Sequence, residues 1–264
     1  MKLLTLNTHS IIDESYEFKI ETLTKAIIKY APDIIALQEV MQLIDAKKAD
    51  FTPNLKAVGE IPLKQSNFAL NVLNSLKSHK LDYHGVFLGI KKAYNKYDEG
   101  LAILSSKEIK TVEITQLTPF CDYNNWKTRF ALGAFIGDYW FYSLHFNWEN
   151  DNDSPFEKEW NQLVYTTKSK KNVWLMGDFN LTPNSKGYEL ITKNYYDTYH
   201  LAKEIDNGIT VKGEIDGWEN QNENKRIDYI FTSKPTEINS SKVIFNGKNE
   251  QIISDHFGIL LKKE

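Results

Sequence analysis

Short apolar runs that break off at polar residues recur along this chain, and their spacing predicts a mixed succession of strands and helices. Lys2 to Leu6 is a short, partly alternating strand that hands over to Asn7-Thr8-His9. From Ser15 to Tyr30 the apolar positions Ile20, Leu23, Ile27 and Tyr30 fall at helical spacing, and Pro32 forbids continuation. Ile34 to Leu37 is a compact strand closed by Gln38-Glu39. Between Met41 and Gln65 the pattern dissolves into Lys, Asp, Pro and Gly, which predicts a long surface loop. Ala69, Val72, Leu73 and Leu76 then share a helix face, and strands are expected over Tyr83 to Ile90, Gly100 to Ser105 and Glu108 to Leu117.

Phe130 to Ile136 and Tyr139 to Phe146 make a hairpin across Gly137-Asp138, a favourable two-residue turn. Phe156, Trp160, Leu163 and Val164 mark another amphipathic helix, a strand starts at Val173, and Ser185 to Thr192 is a short helix. A polar, Gly-interrupted region from Asp206 to Asn224 precedes strands over Arg226 to Phe231, Ile238 to Phe245 and Phe257 to Leu261. No repeat or composition break divides the chain, so one domain over residues 1–264 is expected. Many strands and about four helices around one core predict an α/β fold with two sheets packed face to face and helices outside.

The chemistry gathers where strands stop. In Val173-Trp174-Leu175-Met176-Gly177-Asp178-Phe179-Asn180 an apolar run ends at a glycine, and Asp178 and Asn180 follow at a spacing that shares one face of a strand. A strand-to-loop transition alone would use the same residues. Similar strand ends recur, however, at Asn7, Glu39, His145, Asp228 and Asp255-His256. Loops at one edge of a rigid scaffold are where active sites are built.

Composition narrows the class. The 264 residues are 41% hydrophobic, ample for a large core. With 32 basic and 35 acidic residues the net charge is -3, so no global basic field recruits nucleic acid or anionic membrane. Cys121 is the single cysteine, which excludes an intrachain disulfide and a structural zinc cluster. Neither a secretory signal nor an apolar run of about 18 residues is present, so a soluble, cytoplasmic protein is expected.

These residue types suit hydrolysis of a phosphate ester. Hard oxygen donors such as Glu39 and Asp178 suit Mg²⁺ or Mn²⁺. A histidine oriented by a carboxylate, as in an Asp228 to His256 pair, can accept a proton from water. Asn7, Asn180, His145 and Arg129 are candidates to hold the non-bridging oxygens as charge builds.

Leu6-Asn7, Leu37-Gln38-Glu39, Glu99-Gly100-Leu101-Ala102-Ile103-Leu104-Ser105, Ser143-Leu144-His145, Gly177-Asp178-Phe179-Asn180, Arg226-Ile227-Asp228-Tyr229-Ile230 and Ser254-Asp255-His256 resemble, in order and spacing, the motifs of the endonuclease/exonuclease/phosphatase superfamily. The resemblance spans nearly the whole chain and implies a four-layer α/β/β/α sandwich. By position it implies that Glu39 binds the divalent metal with help from Asn7, and that Asp255 contacts the metal site. Asp178 would orient or deprotonate the attacking water with Asn180 beside it, Asp228 would orient His256, and His145 would bind phosphate, paired with Glu99. Whether Asp178 or His256 is the general base stays open. In apurinic-site endonucleases of the superfamily an acid stands two positions after the asparagine; here it is His9, which either touches the substrate phosphate or packs.

For the substrate, the sequence favours something small. No Lys/Arg stripe interleaved with aromatics stands out, no exposed apolar hairpin points to a membrane, and Lys91-Lys92 and Lys168 to Lys171 read as solvated faces. Trp140, Trp160 and Trp174 fall in apolar patterns and read as core. Trp126, Trp148 and Trp218 sit among Asn, Asp, Glu and Gly, where a flat ring serves either as a platform for a sugar or as a cap on the core. The whole chain, and Thr5-Leu6-Asn7-Thr8-His9-Ser10 in particular, also resembles the firmicute branch of the superfamily that acts on maltose 6'-phosphate. The expectation is thus a Mg²⁺-dependent, monomeric phosphatase of a small phosphorylated carbohydrate, with no stable nucleic-acid partner. A DNA or RNA nuclease is the rival, followed by a sphingomyelinase-like or inositol-phosphate phosphatase and a non-enzymatic binding module.

Overall fold

Two mixed β-sheets form the centre of the computed structural model, which describes residues 1–50, 52, 54–215, 218 and 222–264. The first has eight strands: β1 (Lys2–Asn7), β2 (Ile34–Leu43), β3 (Leu55–Val58), β4 (His84–Ala93), β5 (Tyr97–Ser105), β11 (Ala202–Ile205), β13 (Ile238–Ile244) and β14 (Gly258–Lys263), in the order β11-β13-β14-β1-β2-β5-β4-β3. The second has six: β6 (Thr111–Gln116), β7 (Phe130–Ile136), β8 (Tyr139–His145), β9 (Val173–Asp178), β10 (Tyr196–Asp197) and β12 (Asp228–Thr232), in the order β10-β12-β9-β8-β7-β6.

Alternation along the strands makes the layers. One face of the larger sheet presents Leu4, Leu6, Ile35, Leu37 and Phe87 to helices α1 (Tyr16–Tyr30) and α2 (Phe68–Ser78). The opposite face sends Leu3, Ile34, Ala36, Leu101 and Ile103 against Leu132, Ala134, Phe141, Trp174 and Met176 of the smaller sheet. The far face of the smaller sheet packs Tyr142, Leu144, Leu175, Tyr229 and Phe231 on α3 (Phe156–Thr167) and α4 (Lys186–Thr192). Three cores between four layers result, as expected from the period-two pattern of the strands. Among the described residues no helix is long and apolar enough to cross a membrane.

The expected helices and main strands form, and the hairpin turns at Gly137 with φ of 62°. The departures come from tertiary pairing. The expected loop from Met41 to Gln65 begins inside β2, because Val40 and Met41 are buried and pair with β5, and it also contains β3. β10, α5 (Thr198–Leu201) and β11 are too short to carry a period of their own. Trp160 and Trp174 are core, whereas Trp140 is half-buried beneath Lys170, whose ammonium also pairs with Glu113 at 3.0 Å. The polar stretch expected from Asp206 to Asn224 lies partly outside the described residues.

Candidate active site

Three neighbouring strands of the smaller sheet end level with one another. β8 runs parallel to β9 and sets His145 opposite Asp178, while β12 runs antiparallel and sets Asp228 opposite Asp178 on the other side. A single row of His145, Asp178 and Asp228 therefore crosses the sheet edge. Gly177 permits it: its φ is 145°, and a Cβ there would meet the Leu144 carbonyl oxygen at 2.0 Å. Asn180, at φ of 51°, turns the chain back. Its backbone N–H donates to Asp178 Oδ1 at 2.9 Å, and its side-chain amide donates to the Phe146 carbonyl and accepts from Trp218 Nε1.

The larger sheet supplies the other half. Its β2–β5 ladder slips register between Leu37 and Val40, and Glu39, with φ of 48°, swings out of the pairing toward the site. Asn7, at the end of β1, donates through Nδ2 to both Glu39 Oε1 (3.0 Å) and Asp178 Oδ2 (3.1 Å). Beneath them Gln38 Nε2 donates to Ser143 Oγ, which donates to the Leu37 carbonyl, both at 2.9 Å. These buried bonds tie the two sheets together directly under the row. Ser254 Oγ donates to the Asn7 carbonyl at 2.8 Å and accepts the His256 N–H, which fixes the Ser254-Asp255-His256 loop against the end of β1.

His256 Nδ1 lies 2.9 Å from Asp228 Oδ2, and His256 Nε2 and His145 Nε2 each lie 3.7 Å from Asp178 Oδ2. Burial opposes charge on His256, but Asp228 and Asp178 outweigh it and hold the ring well above the usual histidine range. Burial pushes Asp178 up to about 7, with His256 pulling down and Asp228 adding to the rise. His145 goes the opposite way: burial and the charges of Arg129 and Lys91 hold it well below the usual range despite Glu39. For Glu39, burial is outweighed by the hydrogen bond and charge of His9 and by the Asn7 amide, which keep it well below the usual carboxylate range.

The row opens into a cavity of about 610 Å³ walled by His9, Glu39, Lys91, Tyr94, Glu99, Trp126, Arg129, His145, Trp148, Asp178, Asn180, Asp255 and His256, among others. That volume suits a small molecule. Asn7 and Asp228 stand behind this wall as hydrogen-bond partners of residues in it, and Trp218 lines an adjoining cleft with Trp148. Trp126 and Trp148 meet edge to face at 5.6 Å. His9 Nδ1 sits 3.1 Å from Glu39 Oε2 and 4.0 Å from Asp255 Oδ2, so it packs on acids and faces the cavity as well.

Two expectations change. Glu99 is paired with Lys91 Nζ, at 3.2 Å, and the close acid of His145 is Asp178. Lys91 is no solvated lysine; it is buried in the cavity wall, because β4 and β5 fold back around Tyr94-Asn95 and register Lys91 opposite Glu99. The signal was present in the sequence as Lys91-Lys92 and Asp98-Glu99 at mirrored distances from that turn. Gln38 and Ser143, which clamp the sheets, carried no signal of that role beyond lying next to motif residues.

Two groupings are open to a divalent cation. Asp178, Asp228 and His256 form a buried cluster with ligand atoms within 4.8 Å of one another. Glu39 and the partly exposed Asp255 offer oxygens to the cavity. The all-oxygen grouping fits a hard cation better, since His256 already has its Nδ1 engaged by Asp228.

The sequence profile of the Endonuclease/Exonuclease/phosphatase family matches residues 4–256. The chain belongs to that family. As a member of the endonuclease/exonuclease/phosphatase family it is a phosphoester hydrolase. It is 34% identical to an endonuclease/exonuclease/phosphatase family protein from Leptotrichia buccalis, with a TM-score of 0.89 over 100% of this chain and 99% of that one. The fold is also similar to a mannosyl-6-phosphatase of Bacteroides thetaiotaomicron (15% identity, TM-score 0.67, 99% and 98% coverage). A third likeness is to the 3' phosphatase NExo from Neisseria bound to a product DNA hairpin (16% identity, TM-score 0.66, 100% and 99% coverage). No curated protein matches the sequence.

Proposed function

We propose that this family member is a divalent-metal-dependent phosphatase of a small sugar phosphate, with a disaccharide 6'-phosphate as the first candidate. The observation that carries the reading is the Trp126–Trp148 pair at the wall of the cavity that also receives Asp178, His145 and His256. Aromatic faces take the C–H face of a sugar while polar groups take its hydroxyls. A net charge of -3 and the likeness to a mannosyl-6-phosphatase support it.

In this reading Glu39 and Asp255 hold Mg²⁺ or Mn²⁺, with Asn7 keeping Glu39 in place. The cation, when bound, polarises the phosphoryl group and steadies the leaving oxygen. Asp178, held by Asn7 and by the Asn180 N–H, takes a proton from the attacking water. His256, charged by virtue of Asp228, donates its proton to the departing sugar oxygen as the P–O bond breaks. That division makes Asp178 the base, since His256 already carries a proton near neutrality. His145, kept neutral, donates to a phosphoryl oxygen, and His9 steadies Glu39. The enzyme would work as a cytoplasmic monomer on a diffusible substrate.

Phosphate release with Mg²⁺ should be measured across sugar phosphates, nucleotides, inositol phosphates, lipid phosphoesters and oligonucleotides. Release from sugar phosphates is the expected result. Cutting of oligonucleotides with sugar phosphates untouched would instead make the protein a nuclease, a reading supported by its likeness to the 3'-5' exonuclease NExo of Neisseria meningitidis.

A further inference from the structure

One wall of the cavity carries two buried cations, of which Lys91 is paired with Glu99 and Arg129 is held by backbone carbonyls. Lys91, 5% exposed, lines the cavity from β4 of the larger sheet, and Arg129, 4% exposed, lines it from the loop just ahead of β7 of the smaller one. Lys91 Nζ pairs with Glu99 at 3.2 Å and donates to the Trp126 carbonyl at 2.5 Å. Arg129 Nη1 donates to the same carbonyl at 2.9 Å and to that of Thr128 at 3.4 Å. Its Nε, however, is buried without a hydrogen-bond partner among the described residues. Glu159, an acid that feels the Arg129 charge, has its oxygens taken by the Asn147 amide and backbone N–H. A buried guanidinium with carbonyl contacts and one orphaned donor is costly unless an anion joins it.

The shared Trp126 carbonyl holds both cationic heads in one place, beside His145, whose ring is kept neutral by burial together with their charges. The same cavity is lined by Glu39, Asp178 and Asp255, acids that would repel a bare anion. A phosphomonoester carries nearly two negative charges near neutrality, its second proton leaving at about pH 6. A phosphodiester carries one charge and has a second ester arm, which would have to replace an oxygen at the cationic wall.

We propose that Lys91 and Arg129 form a buried clamp that selects terminal phosphomonoester dianions over phosphodiesters, so that these two residues set the class of ester hydrolysed. The proposal rests on the phosphatase reading above and deepens it. Glu99 is a positioning residue: it holds the Lys91 ammonium against the wall without contacting substrate.

The test compares a sugar 6-phosphate and p-nitrophenyl phosphate with bis-p-nitrophenyl phosphate, and measures inorganic phosphate binding by calorimetry. The proteins are wild type, Lys91→Gln, Arg129→Gln and Lys91→Gln/Glu99→Gln, the last leaving no buried acid unpaired if the single variant melts early. Wild type should prefer monoesters strongly. Each variant should lose about 100-fold in monoester kcat/KM and much less on the diester, so that the ratio collapses. Phosphate affinity should weaken in parallel by at least about tenfold. A ratio and a phosphate affinity both unchanged in folded variants would overturn the clamp, as would equal wild-type rates on the two ester classes. Absence of turnover on every ester tested together with phosphate binding that depends on Lys91 and Arg129 would overturn the sugar-phosphatase reading and uphold the clamp.

Discussion

Asn7 Nδ2 donates to Asp178 Oδ2 across 3.1 Å, joining the end of a strand in one sheet to the end of a strand in the other. The same amide serves Glu39 at 3.0 Å, so one side chain spaces two carboxylates that would otherwise repel. Asn7→Ala should therefore lower kcat/KM by about 100-fold. It should also shift the metal concentration needed for half-maximal rate, because Glu39 loses its anchor. Steady-state kinetics over a Mg²⁺ series reads both; a variant within a few fold of wild type would remove Asn7 from the site.

Asp228 is placed to charge His256, and Asp228→Asn keeps its shape while removing that effect. Burial would then act on His256 with less opposition, and the ring should titrate lower than in wild type. NMR titration of the His256 ring checks this directly, and kcat should fall by about 10²- to 10⁴-fold. An unchanged titration would mean that Asp178, the other facing acid, holds the charge by itself.

Alkaline pH should weaken substrate capture before it slows turnover. Burial and Arg129 push Lys91 down to about 8, against the pull of Glu99 and Glu39. The facing groups are thus Glu99 on β5, Arg129 ahead of β7 and Glu39 on β2. As pH rises through about 8 Lys91 loses its charge, so kcat/KM should decline there. A bound phosphate dianion would hold the proton on, leaving kcat flat to higher pH. Lys91→Arg, which stays charged, should extend the kcat/KM plateau; the same alkaline limb in that variant would assign it to another group.

Chelation should abolish turnover, and Mg²⁺ or Mn²⁺ should restore it. Glu39 stays ionised well below the usual carboxylate range and is ready for a cation. Saturating metal should raise Tm, by an amount equivalent to about 2.7 kcal/mol at 100 times Kd. Differential scanning calorimetry of Glu39→Gln should show that increment largely lost; a full increment in the variant would move the cation to the Asp178, Asp228 and His256 cluster.

Trp148→Ala should chiefly raise KM for a sugar phosphate and leave p-nitrophenyl phosphate little affected, since only the former has a ring to stack. Trp126, 52% exposed and edge to face with Trp148, should behave alike. Early melting with unchanged KM would make the Trp148 ring a cap on the core.

Periodicity and punctuation sufficed for the layers, because a strand that packs on both faces must alternate two apolar sets and an amphipathic helix must expose one stripe. The strand-end residues were legible through recurrence: Asn7, Glu39, Asp178, Asp228 and His256 each stand at the end or start of an apolar run, where one polar residue is an ordinary turn or cap but several in one chain point to a shared edge. What the sequence could not contain was adjacency. His145, Asp178 and Asp228 become neighbours only through the β8–β9–β12 pairing, and Glu39 reaches them only through a bulge whose position depends on the partner strand. Lys91 looked solvated because burial of a charge is decided by what folds over it, here Glu99 across a hairpin and the Trp126 carbonyl from a loop of the other sheet. Local sequence determined which groups stand at the strand ends; nonlocal pairing decided which of them share a cavity and which way their protons lean.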